Sequence, residues 1–292
     1  MASTSEWVEG ARLRTLPAAI APVLAGTAVA VALHGGQWLP ASLALVVALA
    51  LQVGVNFAND YSDGVRGTDD DRVGPMRLVG SKAATPAAVK RAAFAAFGVA
   101  AVAGLILVLL TGQWWLLVVG VACILAAWYY TGGRRPYGYA GLGEVFVFVF
   151  FGLVATVGTT YVQTLTAPPP AWAAGVFAGA LASAVLVTNN LRDRRGDAAS
   201  GKRTLAVRLG DRGTRLLYAG LILLGALGIV AAAATTTWWL LLGLLGLGVL
   251  IRPVIAVLGG ADGRALIPAL KTTGIAELTA AALLLVGAVI AA

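Results

Sequence analysis

The sequence predicts an all-α polytopic membrane protein: nine transmembrane helices, arranged as two four-helix halves plus a ninth helix. Three observations predict it. The 292-residue chain is 59% hydrophobic and only 12% charged, whereas a soluble domain carries about a quarter charged residues. Nine apolar runs approach the length of about 20 residues that a helix needs to cross a hydrocarbon core. All 21 Lys and Arg residues fall on one side of the resulting alternation.

Each span follows in order. The opening MASTSEWVEGARLRTLP lacks the basic stretch and short apolar core of a secretory signal. Arg12 and Arg14 precede the first span, near 15–34. The uncharged link HGGQW leads to a second span near 40–60. A charged connection follows, holding Arg66, Arg72, Arg77, Lys82, Lys90 and Arg91. Spans near 92–111 and 114–131 are joined by TGQW, and Arg134 and Arg135 come next. The spans near 142–163 and 171–191 flank QTLTAPPPAW, and a run of Arg and Lys from Arg192 to Arg215 follows. The spans near 215–234 and 237–258 are joined by ATTTWW. Arg252, Arg264 and Lys271 flank the last charged link before a ninth span near 268–291. Basic residues mark cytoplasmic loops, so the N-terminus is expected in the cytoplasm and the C-terminus outside. One domain is expected over 1–292, with halves at 12–131 and 132–258 and the ninth helix at 268–291.

This distribution also accounts for the net charge of +8 without nucleic acid, because the basic residues are spread over the inside loops as topology requires. Trp38, Trp114, Trp115, Trp172, Trp238 and Trp239 cluster at the uncharged ends and read as an interfacial belt. The single cysteine, Cys123, excludes an internal disulfide and reads as a small packing residue.

The acidic residues are less easily explained. NFANDYSDGVRGTDDDR, at 56–72, follows directly on an uncharged apolar run. Asn59-Asp60-Tyr61-Ser62-Asp63 and Asn189-Asn190-Leu191-Arg192-Asp193 share one pattern, and both close a span on the basic side, four spans apart. On a helix, Asn56, Asn59, Asp60 and Asp63 fall within an arc of roughly 100°, and Asn190, Asp193 and Asp197 within about 60°. Two such faces across one cavity would repel unless a cation joined them. Carboxylate and amide oxygens, with no His or Cys nearby, suit Mg²⁺ and not zinc. Asp70 and Asp71 read equally as a solvated surface.

These motifs, NDYSDGVRGTDDDRVGPMR and NNLRDRRGDAASGKRTLAVRLG, resemble those of the UbiA superfamily of intramembrane aromatic prenyltransferases. ARLRTLPAAIAPVLAGTA, the spacing from Gly67 to Asp69 and YTGGRRPYGYAGLGEVFVFVFFG resemble the branch that acts on 1,4-dihydroxy-2-naphthoate. Other branches place a third acid where Gly67 stands here, and Asp69 is the nearest substitute.

The resemblance implies a polyprenyl diphosphate held through two Mg²⁺, prenyl transfer to 1,4-dihydroxy-2-naphthoate, and loss of pyrophosphate and CO₂ to give demethylmenaquinol. It implies metal contacts from Asn59, Asp60, Asp63, Asp69, Asn190, Asp193 and Asp197. Tyr139 is implied as a cation-stabilising or substrate-side group. Arg72, Lys202 and Arg203 are expected at the diphosphate, Arg134 beside them, and Arg14 at the naphthoate carboxylate. Simple positive-inside charge explains each of these basic residues as well. Glu144 and Glu277 receive no role. The competing readings are a UbiA-type enzyme with a 4-hydroxybenzoate, chlorin or protohaem acceptor, and a secondary transporter. Against the transporter, the acids sit at one membrane face, whereas transport sites lie near the midplane.

Overall fold

A computed structural model describes residues 2–67 and 76–292, and no strand occurs among them. Asp69 and Arg72 lie outside the described residues, as do Asp70 and Asp71.

Helix α1 (Thr4–Gly10) starts at a capping box in which Ser3 and Glu6 satisfy each other's backbone N–H. A 3₁₀ turn (Leu13–Thr15) leads into α2 (Pro17–Ala32), and the chain bends by 47° between them. The first span is therefore 16 helical residues preceded by a separate turn of helix, not one straight segment over 15–34.

Helix α3 (Trp38–Arg66) has 29 residues, about 43 Å at 1.5 Å per residue, well beyond a hydrocarbon core of about 30 Å. The acidic motif does not follow this helix. It forms its last two turns, closed by Gly67 in a left-handed conformation. α4 (Pro86–Thr111) packs along α3. α5 (Leu116–Tyr129) has only 14 residues, about 21 Å long, and is shorter than the span expected over 114–131.

A 3₁₀ turn (Tyr137–Ala140) precedes α6 (Gly143–Val147). α6 continues through a π-helix (Phe148–Val154) into α7 (Ala155–Thr164). The π-helix crosses α8 (Pro169–Ala199) backbone against backbone, since a Cβ on Gly152 would lie 2.4 Å from the Gly179 Cα. α8 has 31 residues and continues well past 191, so Asn190, Asp193 and Asp197 do share one helix. α9 (Leu205–Ala234) packs along α8 and is kinked at Gly210, whose φ of 69° and ψ of −173° no helix contains. α10 (Leu242–Leu247) and α11 (Ile251–Leu258) are joined by a 3₁₀ turn, and α12 (Ile267–Ala291) ends the chain.

Among the described residues, seven helical stretches are long and apolar enough to cross a membrane, or eight when the bent pair ending in α2 is taken as one span. The main core is Ala-rich and lies between α2, α8, α9, α10 and α12. Small side chains let these helices approach closely, which is how helices associate in lipid. A second cluster holds Phe57, Leu78, Val89, Ala93 and Phe97, and it anchors the returning loop at Leu78 against α3. The six belt tryptophans are exposed. In α3 and α8 a tryptophan stands near the first residue and the acids near the last.

Candidate active site

Asp60 and Asp63 diverge on α3. Asp60 is fully buried, and both carboxylate oxygens are engaged: Oδ2 accepts from the Leu78 N–H at 2.7 Å and Oδ1 from the Val79 N–H at 3.1 Å. Expected among the metal ligands, Asp60 instead pins the loop that returns to α3. This anchoring places Arg77 beside Asp63, with 3.2 Å between Arg77 Nη2 and Asp63 Oδ2. Asp63 Oδ1 accepts a hydrogen bond from the Tyr139 hydroxyl. Removing both Asp60 acceptors in D60A is expected to cost about 3–6 kcal/mol, the scale for two hydrogen bonds to a charged group, read as a lower midpoint of thermal unfolding in detergent.

Tyr139 joins the two motifs. Its hydroxyl reaches Asp63 at the end of α3, and its backbone carbonyl accepts from the Arg203 N–H at 2.9 Å. The Lys202 ammonium lies 4.6 Å from the centre of its ring and the Arg66 guanidinium 5.6 Å, both cation–π distances. The Lys202 N–H in turn donates to the Asp197 carbonyl at 2.8 Å. Asp63, Tyr139, Lys202, Arg203 and the Asp197 turn thus form one connected cluster.

The other expected residues fall around this cluster. Asn59 Oδ1 accepts from the Thr131 hydroxyl at 2.7 Å. Asn190 is held by Glu144, its Nδ2 donating to Glu144 Oε1 at 2.9 Å. Asp193 pairs with Arg192 at 2.6 Å. Arg14 and Arg134 are exposed. In the sequence Arg66 and Arg77 read as loop charge, yet they sit in the cluster. Arg66 donates to the Thr131 and Gly133 carbonyls and so fixes the loop that carries Tyr139. No local sequence signal separates these arginines from ordinary inside-loop charge.

Below the cluster lies a cavity of about 200 Å³. Asn59, Asn56 and Gln52 of α3 line it together with Tyr130, Tyr137, Phe146, Phe150 and Phe151. Tyr137 stacks on Phe146 at 4.0 Å between ring centres, and Phe146 on Phe150 at 5.9 Å. Burial pushes the Tyr137 phenol up from its ordinary value, so it stays a neutral donor, bonded to the Ala126 carbonyl at 2.7 Å.

Asn59, Asp63, Asp193 and Asp197 offer oxygen donors only, which suit magnesium. Among the described residues no three His, Cys, Asp or Glu side chains stand close enough to cage an ion. Asp63 and Asp193 hold arginines instead. The donor chemistry fits a hard cation that shares its shell with water and substrate phosphates.

A cluster of carboxylates, amides and basic groups beside a largely apolar, aromatic-lined cavity defines a membrane protein that receives an anionic head on an apolar body. The chain is a multi-pass membrane protein, and it belongs to the UbiA prenyltransferase family, whose model matches residues 19–270. It is 54% identical over 278 residues to the 1,4-dihydroxy-2-naphthoate octaprenyltransferase of Mycobacterium tuberculosis, covering 95% of this chain and 94% of the relative. It is 41% identical over 226 residues to the protein of the same name from Escherichia coli, covering 75% and 73%. The fold matches a UbiA homolog from Aeropyrum pernix K1 with a TM-score of 0.70 at 12% identity, over 94% of this chain and 97% of that one. It also matches a UbiA homolog from Archaeoglobus fulgidus bound to GPP and Mg2+, with a TM-score of 0.66 at 12% identity, over 94% and 99%.

Proposed function

We propose that this protein transfers a polyprenyl group from polyprenyl diphosphate to 1,4-dihydroxy-2-naphthoate, releasing pyrophosphate and CO₂ and giving demethylmenaquinol. The identity to the two naphthoate prenyltransferases supports the reaction. The observation that carries the site is Tyr139, which ties Asp63 to the segment bearing Asp197, Lys202 and Arg203.

Asn59, Asp63, Asp193 and Asp197 would hold magnesium, two ions by family resemblance; the Mg2+ in the Archaeoglobus relative supports the metal itself. When bound, magnesium offsets the charge that develops on the departing pyrophosphate. Lys202 and Arg203 orient the diphosphate as charged hydrogen-bond donors, and Arg72, outside the described residues, is assigned the same role from the family resemblance. Asp60 and Asn190 position the two motifs. The aromatic wall of Tyr137, Phe146 and Phe150 keeps water from the allylic carbon and presents π faces to its developing positive charge. The prenyl carbon–oxygen bond breaks toward pyrophosphate, and the ring carbon bearing the carboxylate forms the new carbon–carbon bond. The carboxylate then leaves as CO₂, and its bonding electrons return to the ring. Arg14 and Arg134 are assigned to the anionic ends of the substrates.

The same reading takes the chain as one domain of nine spans, with halves at 12–131 and 132–258 and a ninth helix at 268–291. The pairing of α3 with α4 and of α8 with α9, each first member ending in an acidic motif, supports it. The basic loops support an N-terminus in the bacterial cytoplasm and a C-terminus outside.

Incubating the purified protein with 1,4-dihydroxy-2-naphthoate, a polyprenyl diphosphate and Mg²⁺ tests the reading. Demethylmenaquinol and CO₂ are expected in equal amounts, with turnover lost on chelation and restored by added Mg²⁺. Prenylation of 4-hydroxybenzoate with no naphthoate product would replace this acceptor, and turnover that survives chelation would remove the metal.

A further inference from the structure

We propose that Gln52 reads the acceptor, its side-chain oxygen accepting a hydrogen bond from the 4-hydroxyl of the dihydroxynaphthoate. The inference rests on the reading that the acceptor is a fused-ring aromatic diol.

Gln52, Asn56, Asn59 and Asp63 recur at intervals of four, three and four residues along α3. At 100° per residue they fall within about 60° of one another, a polar stripe running down from the acidic cluster. Gln52 is its deepest member, about 10 Å below Asn59 along the helix axis. It lines the cavity and is 6% exposed.

Its amide orientation is fixed. Nε2 donates to the Thr15 hydroxyl at 2.8 Å and toward Asn56 Oδ1 at 3.4 Å. Asn56 Nδ2 spends its own protons on the Ala11 carbonyl and on Thr15 Oγ1, both at 2.9 Å. Gln52 Oε1 is left buried and accepts nothing. Of the described residues lining the cavity, only Gln52 carries such an oxygen. Buried polar atoms are normally paired, so an orphan acceptor beside a substrate cavity calls for a donor on the ligand.

The dihydroxynaphthoate supplies one. Its 1-hydroxyl bonds internally to the neighbouring carboxylate, and its 4-hydroxyl has a proton free to donate. A cavity of about 200 Å³ suits a fused bicyclic ring and not a long prenyl chain. A site built to hydrogen-bond a hydroxyl discriminates strongly against the analogue lacking it.

The test compares 1,4-dihydroxy-2-naphthoate with 1-hydroxy-2-naphthoate on the full-length protein, reading affinity by ligand-dependent thermal shift and turnover separately. Q52M removes the oxygen at similar volume. We expect about tenfold or greater loss of affinity for the diol, with the mono-hydroxy analogue and the KM for prenyl diphosphate within about twofold of wild type. T15V removes the Nε2 partner that orients the amide, so it should lower thermal stability and move the ratio between the two ligands part of the way toward that of Q52M. Equal loss for both ligands in Q52M, no loss for either, or a T15V ratio that stays at the wild-type value would overturn the proposal. Wild-type protein that binds the diol in preference to the analogue but does not prenylate it defeats the acceptor reading alone.

Discussion

D63N prenylates its acceptor slower than wild type by on the order of a thousandfold, the upper scale for losing one electrostatic contact to a transition state, while remaining folded in detergent. The amide that replaces the carboxylate keeps an oxygen able to accept from the Tyr139 hydroxyl. What is lost is the charge that faces a cation and balances Arg77. D63A is expected to lose as much activity and to be less stable as well, because it takes the Asp63 carboxylate away from the buried Arg77 guanidinium. Breaking a buried pair from one side costs about 3–5 kcal/mol. R77A placed on D63A should recover part of that stability and none of the activity, separating the scaffold role of the pair from the role of Asp63 in catalysis. The measurements are initial rates with saturating Mg²⁺ and the midpoint of thermal unfolding for wild type and the three variants. Near-wild-type turnover in D63N would remove Asp63 from the metal site.

Much of the fold is legible in the chain because lipid imposes a simple rule: long apolar runs are spans, and charge is excluded from them. The departures occur where that rule is silent. The last turns of α3 and α8 carry Asp, Asn and Arg, so an apolar count ends these helices too early although their backbone continues. α5 falls short because Trp114 and Trp115 belong to a turn before it. Phe148–Val154 has no residue that announces a π-helix; the extra residue per turn goes with the close crossing of Gly152 and Gly179, a tertiary contact.

The site divides in the same way. Helical spacing places Asn59 and Asp63 on one face correctly, but an arc on a helix does not name a partner. Asp60 lies within the same arc and is spent on a loop 18 residues away. Asn190 is claimed by Glu144 across 46 residues, which also gives Glu144 the role the sequence withheld. Arg66 and Arg77 carry the same charge as every other basic residue on their side, and only the loop they fix distinguishes them. Gln52 was within reach of the sequence, since it extends the interval of Asn56, Asn59 and Asp63 by one more turn. A single amide inside an apolar run draws less notice than a carboxylate.

Tyr139 variants give the second large effect, and a pair of substitutions separates its two functions. The hydroxyl donates to Asp63, and the ring lies beneath Lys202 and near Arg66. Y139F removes only the hydroxyl. Losing one hydrogen bond to a charged group is worth about 1.5–3 kcal/mol, so a fall in kcat of about 10- to 100-fold is expected. Y139L removes the ring too. Lys202 then has no π face to rest on, and the hydroxyl that reached Asp63 is gone, while the backbone bond from Arg203 to position 139 remains. The KM for prenyl diphosphate should rise with Y139L and stay near wild type with Y139F, because diphosphate binding depends on where Lys202 is held, whereas the hydroxyl acts on Asp63. A combined K202M and Y139L variant should be little worse than Y139L alone if Lys202 acts through the ring. Fully additive losses would show that Lys202 finds the diphosphate without Tyr139, and the bridge between the motifs would then be a contact without a function.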